Sequence, residues 1–248
     1  MTMKLVTATD AVRSVSDGAT IIVGGSGAGH AVPQGFIDAL ASVFASEGHP
    51  RDLTTVRVVG IGDFGDVGFS QLALPGLMRR TIGSNIGNEP RLGELVRRGE
   101  VEAYSFPQGV LSQLCREIAA GRPGLITKVG LDTYADPRHT GGKQGAASQD
   151  LVEVIELAGE EWLFYHSFPI DVAIIRGSTI DEDGNLSMER EAVRGEMLAM
   201  AMAAHNSGGR VIAQAGEMMP RRSLAPRTIE VPGALIDFAF LVPDQRQT

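Results

Sequence analysis

The stretch that decides the fold is Asp17-Gly-Ala-Thr-Ile-Ile-Val-Gly-Gly-Ser-Gly-Ala-Gly-His-Ala-Val-Pro33. Ala19 to Val23 is a short apolar run bounded by turn residues, the pattern of a strand covered on both faces. It empties into Gly24, Gly25, Gly27 and Gly29, which strip nearly every Cβ from the turn and let a ligand approach the backbone and its amides. Pro33 suits the first turn of a helix, where its missing N–H costs nothing. Residues 33–47 then carry Phe36, Ile37, Leu40, Val43 and Phe44 at helical spacing, a stripe for packing on a sheet. Strand, glycine turn and helix in this order form the opening unit of a parallel α/β sheet.

Two familiar motifs fail at the turn on spacing. A dinucleotide fingerprint starting at Gly25 and Gly27 would need glycine where His30 stands, and the second strand, Val56-Arg57-Val58-Val59, runs into Gly60 without an acidic residue for a ribose. A nucleophile elbow would make Ser26 the nucleophile, but its closing position is Ala28 and the turn follows the first strand of the chain. A plain reversal of strand into helix also accounts for the glycines.

Composition narrows the class. The 248 residues are 43% hydrophobic and include 31 glycines, enough for one large α/β core with many tight turns. A single cysteine excludes an internal disulfide framework and a cysteine-based metal cluster, and fits a reducing cytoplasm. No apolar run approaches the roughly 20 residues of a membrane span, and residues 1–6 lack the apolar region of a signal peptide, so a cytoplasmic protein away from membranes is expected. The net charge of −8 argues against nucleic acid, while leaving room for a phosphate-bearing small ligand held by amides or a few arginines.

Along the chain, Thr9 or Asp10 is placed to cap a short helix ending near Val15. Residues 53–59 read as the second strand, and residues 60–68, with four glycines and two aspartates, as a loop at its carboxyl end. A short strand at 79–83 precedes a helix at 90–98. An alternating strand at 101–106 is broken by Pro107-Gln108-Gly109 just before an apolar helix at 110–120. The Gln108 amide both donates and accepts, so it is equipped to orient a carboxylate or thioester oxygen; an exposed polar turn residue is the plainer alternative. Cys115, with no His or charge pattern beside it, reads as a small buried hydrophobe.

Residues 121–149 are irregular and hold Lys128, Arg138 and Lys143, suiting either a ligand-facing mobile segment or a surface excursion. A hairpin follows at 151–157 and 161–166, then a buried strand at 171–176. Asp181 to Asn185 reads as a tight turn, since its glycine is misplaced for a calcium loop and the twelfth position is Ala192. A long helix is expected at 189–205, with further strands at 211–215 and 235–242. The expected architecture is a single α/β domain over 1–248, a mostly parallel open sheet flanked by helices with an antiparallel hairpin.

Several segments then occur in a telling order: Asp17-Gly-x-x-apolar-Gly-Gly, Tyr104-Ser-Phe-Pro-Gln-Gly109, Ala120-Gly-Arg-Pro-Gly124, Thr127-Lys-Val-Gly-Leu131, Asp136-Pro-Arg138, Gly159-Glu-Glu-Trp-Leu-Phe-Tyr165, Phe168-Pro-Ile-Asp171, Arg176-Gly177, Asp183-Gly-Asn185 and Asn206-Ser-Gly-Gly209. In this order they resemble family I coenzyme A transferases, and in particular the amino-terminal, α-type half of the fused acyl-CoA:acetate or propionate CoA-transferases. The resemblance covers nearly the whole chain.

It implies that a glutamate attacks an acyl-CoA, passes through an acyl-glutamyl anhydride and a glutamyl-CoA thioester, and is released by an acceptor carboxylate. In the family that glutamate lies in the β-type half, past the point where this sequence stops; Glu89, Glu182 and Glu189 do not take its place. The resemblance therefore implies a β-type partner in a heterodimer or heterotetramer, coenzyme A as a substrate, small carboxylates as the other substrates, and no tightly bound cofactor or metal. By the family pattern, Gly24, Gly25, Ser26, Gly27, Ala28, Gly29 and His30 line the acyl or carboxylate pocket, and Gln108 orients the nucleophile or an oxyanion.

The simpler heteromeric members read Gly-Gly-Phe with a later Gly-x-Pro. Here Ser26 replaces the phenylalanine, His30 the glycine, and Pro33 comes one place late, which bears on pocket size and acyl specificity. A related acyl-CoA or ring-cleaving hydrolase on the same fold, and a non-catalytic ligand-binding half, are the alternatives.

Overall fold

The computed structural model describes residues 3–27 and 29–245. In chain order it contains β1 (Lys4–Leu5), α1 (Ala8–Arg13), β2 (Thr20–Val23), α2 (Gln34–Glu47), β3 (Leu53–Val56), β4 (Met78–Gly83), α3 (Pro90–Arg97), β5 (Glu102–Ser105), α4 (Gln108–Ala119) and β6 (Gly124–Thr127). There follow β7 (Lys143–Gly145), β8 (Val152–Leu157), β9 (Glu160–His166), β10 (Val172–Asp181), β11 (Leu186–Ser187), α5 (Met197–Asn206), β12 (Arg210–Met219), β13 (Ile229–Val231) and β14 (Phe238–Leu241).

The large sheet runs β1-β14-β12-β10-β2-β3-β4-β5-β7. Every neighbouring pair from β1 to β5 is parallel, and only the edge strand β7 is antiparallel to its neighbour along that path. The predicted mostly parallel sheet is present. So is the antiparallel hairpin, β8 with β9, which β6 extends to three strands.

The order of strands locates the functional edge. From β2 the chain steps through β3 and β4 to β5 in one direction; from β10 it steps through β12 to β14 in the other. The order thus reverses between β2 and β10, and the crossover helices change face there: α1, α2 and α3 contribute to one apolar cluster, α4 and α5 to the other. At such a reversal the loops beyond the carboxyl ends of the strands splay apart and leave a crevice. The glycine turn leaves β2 at this point.

Burial explains the composition of the strands. All ten residues of β10 are buried, which its position between β2 and β12 with helices on both faces requires. Cys115 is 3% exposed in α4, and burial pushes its thiol up to about 12, as befits a small core residue.

Several boundaries differ from those expected, each for a local reason. The first helix is capped by Thr7, whose Oγ1 accepts from the Asp10 amide at 3.1 Å, in place of Thr9 or Asp10. The helix expected from 189 begins at Met197, because the preceding residues are held by tertiary bonds: Thr179 Oγ1 donates to Glu189 at 2.7 Å, the Arg190 amide donates to Ser178 Oγ at 2.8 Å, and Glu191 lies 3.2 Å from Arg176. The strands expected at 171–176 and 211–215 run on to Asp181 and Met219, paired with each other throughout. Asp181 to Asn185 is the expected tight turn, with Asp181 Oδ1 accepting from the amides of Asp183 and Asn185.

The irregular segment at 121–149 is pinned by ion pairs, within itself and to the residues that follow it. Lys128 pairs with Glu160 at 2.9 Å, Lys143 with Asp150 at 2.6 Å, and Arg138 with the fully buried Asp136 at 2.7 Å. Asp136 also accepts from the amides of Asp132 and Arg138 at 3.0 and 2.9 Å, so the carboxylate is the hub of the loop. Its hydrogen bonds to the Arg138 side chain, with those amides, hold its carboxyl well below the usual carboxylate range.

Because the folded state depresses this pKa, Asp136 stabilises the fold fully above the unfolded value near ~4 and loses that contribution as pH falls through the folded one. The urea midpoint of the wild type should therefore exceed that of Asp136→Asn by a constant margin at pH 6–8. Below pH ~4 the margin should narrow. A margin independent of pH down to 3 would remove Asp136 as the acid-sensitive hub.

Among the described residues no helix is long and apolar enough to cross a membrane, and no group of His, Cys, Asp and Glu is arranged to hold a metal.

Candidate functional site

The glycine turn is a miniature hairpin. The Ser26 amide donates to the His30 carbonyl at 2.9 Å and the His30 amide returns to the Ser26 carbonyl at 3.1 Å. Gly25, Gly27 and Gly29 adopt φ of 117°, 56° and 138°, which explains why the reversal uses glycine. The Gly27 amide donates to the Gly60 carbonyl at 3.0 Å and its carbonyl accepts from Gly62 at 3.1 Å. Three amides of the turn, those of Ser26, Gly27 and His30, are thus committed to the protein itself. Among the described residues of the turn, Gly25, Gly27 and Gly29 are partly exposed, as are Ser26 and His30. A Cβ on Gly24 would meet the flexible end of the Met197 side chain at the start of α5, which would have to shift to admit it. His30 Nδ1 is buried without a hydrogen-bond partner. Ala28, the remaining predicted pocket residue of the turn, lies outside the described residues.

The loop after β3 is stitched to the loop after β4. The Phe64 amide donates to the Asn88 carbonyl at 3.1 Å, and Asn88 Nδ2 donates to the Gly62 carbonyl at 3.0 Å. Beneath both loops lies an ion pair with both side chains fully buried. Arg57 Nε donates to Glu89 Oε1 at 3.0 Å, and Arg57 Nη2 donates to Glu89 Oε2. Arg57 Nη1 donates to Thr81 Oγ1 at 2.6 Å, and the guanidinium stacks on the Phe69 ring 4.7 Å from its centroid. Glu89 Oε1 also accepts from the Ile61 amide at 2.7 Å. The glutamate that stands alone in the sequence is therefore a structural anchor. Arg57 went unrecognised as its partner, although an arginine inside an apolar strand run is a signal, since a buried cation demands a carboxylate.

Gln108 is the first residue of α4, two residues earlier than the expected helix start, and its side chain is exposed. It follows β5 directly, on the same edge of the sheet as the glycine turn. The two do not sit on neighbouring strands: β5 is three strands from β2, roughly 14 Å at ~4.8 Å per strand. Between them lie the loops at 60–68 and 85–89. Gln108 and the turn thus share the carboxyl-terminal edge of the sheet without adjoining each other, separated by the loops that Arg57 and Glu89 anchor.

On the other side of the turn, at the strand reversal, opens a crevice of about 510 Å³. Gly29, Val32, Gly35, Arg176 and Gln214 line it. Arg176 is 1% exposed; its Nη1 donates to the Val32 carbonyl at 2.9 Å and its Nε lies 3.2 Å from Glu191 Oε2. Arg176 and Gln214 are register partners on β10 and β12, side by side on the same face. Gln214, fully buried, is another residue that sequence reading passed over, being a polar residue in the run Val211-Ile-Ala-Gln-Ala215.

Comparisons with known proteins identify the family of the chain and agree with its fold. The family model described as Coenzyme A transferase matches residues 5–240. The chain is 43% identical over 244 residues to the caffeate CoA-transferase of Acetobacterium woodii, covering 98% of this chain and 46% of that protein. It is 32% identical over 246 residues to the acetate CoA-transferase subunit alpha of Escherichia coli (strain K12), covering 99% of this chain and 100% of that subunit. Among solved structures it superposes on the acyl-CoA transferase YdiF of E. coli O157:H7, in a thioester complex with CoA, with a TM-score of 0.97 and 36% identity. That match spans 99% of this chain and 48% of YdiF. The chain thus spans about half the length of the caffeate CoA-transferase and YdiF, and the full length of the α subunit. By the family match and by these identities, the chain belongs to the coenzyme A transferase family.

Proposed function

We propose that this chain is the α-type half of an acyl-CoA:carboxylate CoA-transferase, completed by a β-type half that brings the nucleophilic glutamate. The observation that carries the reading is its end-to-end match with a subunit named alpha, combined with the state of its own carboxylates. Two glutamates near the strand ends are buried in ion pairs, Glu89 with Arg57 and Glu191 with Arg176. A glutamate held this way is a poor nucleophile.

In the proposed reaction the partner's carboxylate attacks the acyl-CoA carbonyl, forming a mixed anhydride and expelling the CoA thiolate. The thiolate then attacks the glutamyl carbonyl, releasing the first carboxylate and leaving glutamyl-CoA. The acceptor carboxylate attacks that thioester, and the thiolate returns to the acceptor's carbonyl, giving the new acyl-CoA and free glutamate. The glycine turn supplies a wall without side chains beside the acyl group, and Gln108 donates its amide N–H to the oxygen that gains charge in each addition. CoA is a substrate throughout.

The test is reconstitution with the β-type half, either as a co-expressed chain or as the continuation of this one. The complex should convert acetyl-CoA and a second free acid into the new acyl-CoA, and this chain alone should not. Release of CoA that is independent of acceptor would make the protein a hydrolase. Binding of acyl-CoA without turnover by the complex would make it a ligand-binding half.

A further inference from the structure

The crevice at the strand reversal has a specific chemistry. Two buried polar atoms in its wall lack hydrogen-bond partners: Arg176 Nη2, which can only donate, and Gln214 Oε1, which can only accept. The orientation of Gln214 is set from behind, since its Nε2 donates to Gln245 Oε1 at 3.1 Å while Gln245 Nε2 donates to the Gly177 carbonyl at 2.8 Å. Its carbonyl oxygen is therefore the end left for a ligand. The two residues are register partners on adjacent strands, so both side chains stand on the same face of the sheet beside the crevice.

A hydroxyl is the smallest group that donates to Gln214 Oε1 while accepting from Arg176 Nη2. A carboxylate accepts only, and an alkyl chain does neither. Charge makes the same distinction. Arg176 is already neutralised by Glu191, whereas Asp38, Asp63 and Asp244 line the crevice, so a second carboxylate on the acyl chain would meet net negative charge. Gly29 belongs both to this crevice and to the turn proposed to flank the reacting acyl carbon. The volume of about 510 Å³ falls in the ~300–1,000 Å³ range of pockets that enclose sizeable ligands, far more than a two-carbon acyl group fills.

We infer that this crevice receives the distal end of a hydroxylated, otherwise uncharged acyl group, with Arg176 and Gln214 as its specificity determinants. The inference rests on the transferase reading above and names the substrate class of that site.

The experiment uses the complex with its β-type half, acetyl-CoA as donor, and size-matched acceptors: 3-phenylpropionate against 3-(3,4-dihydroxyphenyl)propionate, butyrate against 4-hydroxybutyrate, and glutarate. In at least one matched pair the hydroxylated acid should show a kcat/KM about tenfold higher, the worth of one well-placed hydrogen bond, and glutarate should lie below butyrate. Gln214→Leu should bring the ratio within that pair close to one, and Asp38→Asn, at an exposed position, should raise glutarate relative to butyrate several-fold. Transfer to the plain acids without any preference for the hydroxylated ones overturns this inference and leaves the transferase reading standing. No transfer to any acid overturns both.

Discussion

Replacing Glu89 by alanine is expected to cost about 3–5 kcal/mol of folding stability, because it leaves the Arg57 guanidinium buried without its carboxylate. Arg57 and Glu89 have fully buried side chains, and Glu89 is also the acceptor for the Ile61 amide. The loss should appear as a melting temperature roughly 6–20 °C lower for a chain of this length. The double variant Arg57→Met, Glu89→Leu should recover much of it, since an apolar pair of similar volume removes the desolvation penalty along with the attraction. The control is the single variant Arg57→Met, which strands the carboxylate instead and should be comparably unstable. Chemical denaturation of the three variants checks the cycle; a Glu89→Ala midpoint close to wild type would mean that the pair does not anchor the two loops.

In the assembled enzyme, Gln108→Ala is expected to lower kcat about 10²–10³-fold, the usual consequence of removing one donor to a developing oxyanion. Its side chain is exposed and forms no hydrogen bond among the described residues, so truncation should leave the fold unchanged. Stopped assays that separate kcat from KM discriminate the roles. A positioning or oxyanion role lowers kcat while KM stays near its original value, whereas a residue that only touches ground-state substrate raises KM. If kcat falls by less than about threefold, Gln108 is a helix-start residue and the oxyanion donor must be sought nearer the turn, in the loops at 60–68 and 85–89.

Much of the architecture was legible in the chain because it rests on local pattern. The apolar runs at 19–23 and 171–176, the alternation at 151–166 and the stripe on 33–47 each announce an element whose type depends on periodicity alone. Boundaries were legible only where a cap or breaker lies nearby, as Gly48 does for α2, whose φ of 68° closes the helix. The helix start at Met197 was not, because residues 189–191 are held by Thr179, Ser178 and Arg176, which are 10 or more residues away along the chain.

By itself, the sequence determined that β2 must end in a turn rich in glycine, that a glutamine stands at the junction between β5 and the helix after it, and that the nearby glutamates do not match the family's nucleophile. These follow from residue type at a position, which folding cannot alter. Only the tertiary structure decided that Glu89 is an anchor paired with Arg57, that Gln108 stands three strands away from the turn on the same edge of the sheet, and that Arg176 and Gln214 share the wall of a crevice. Each of these depends on which strands lie side by side, and strand order is set by long-range packing and crossover handedness, which leave no periodic trace in the chain.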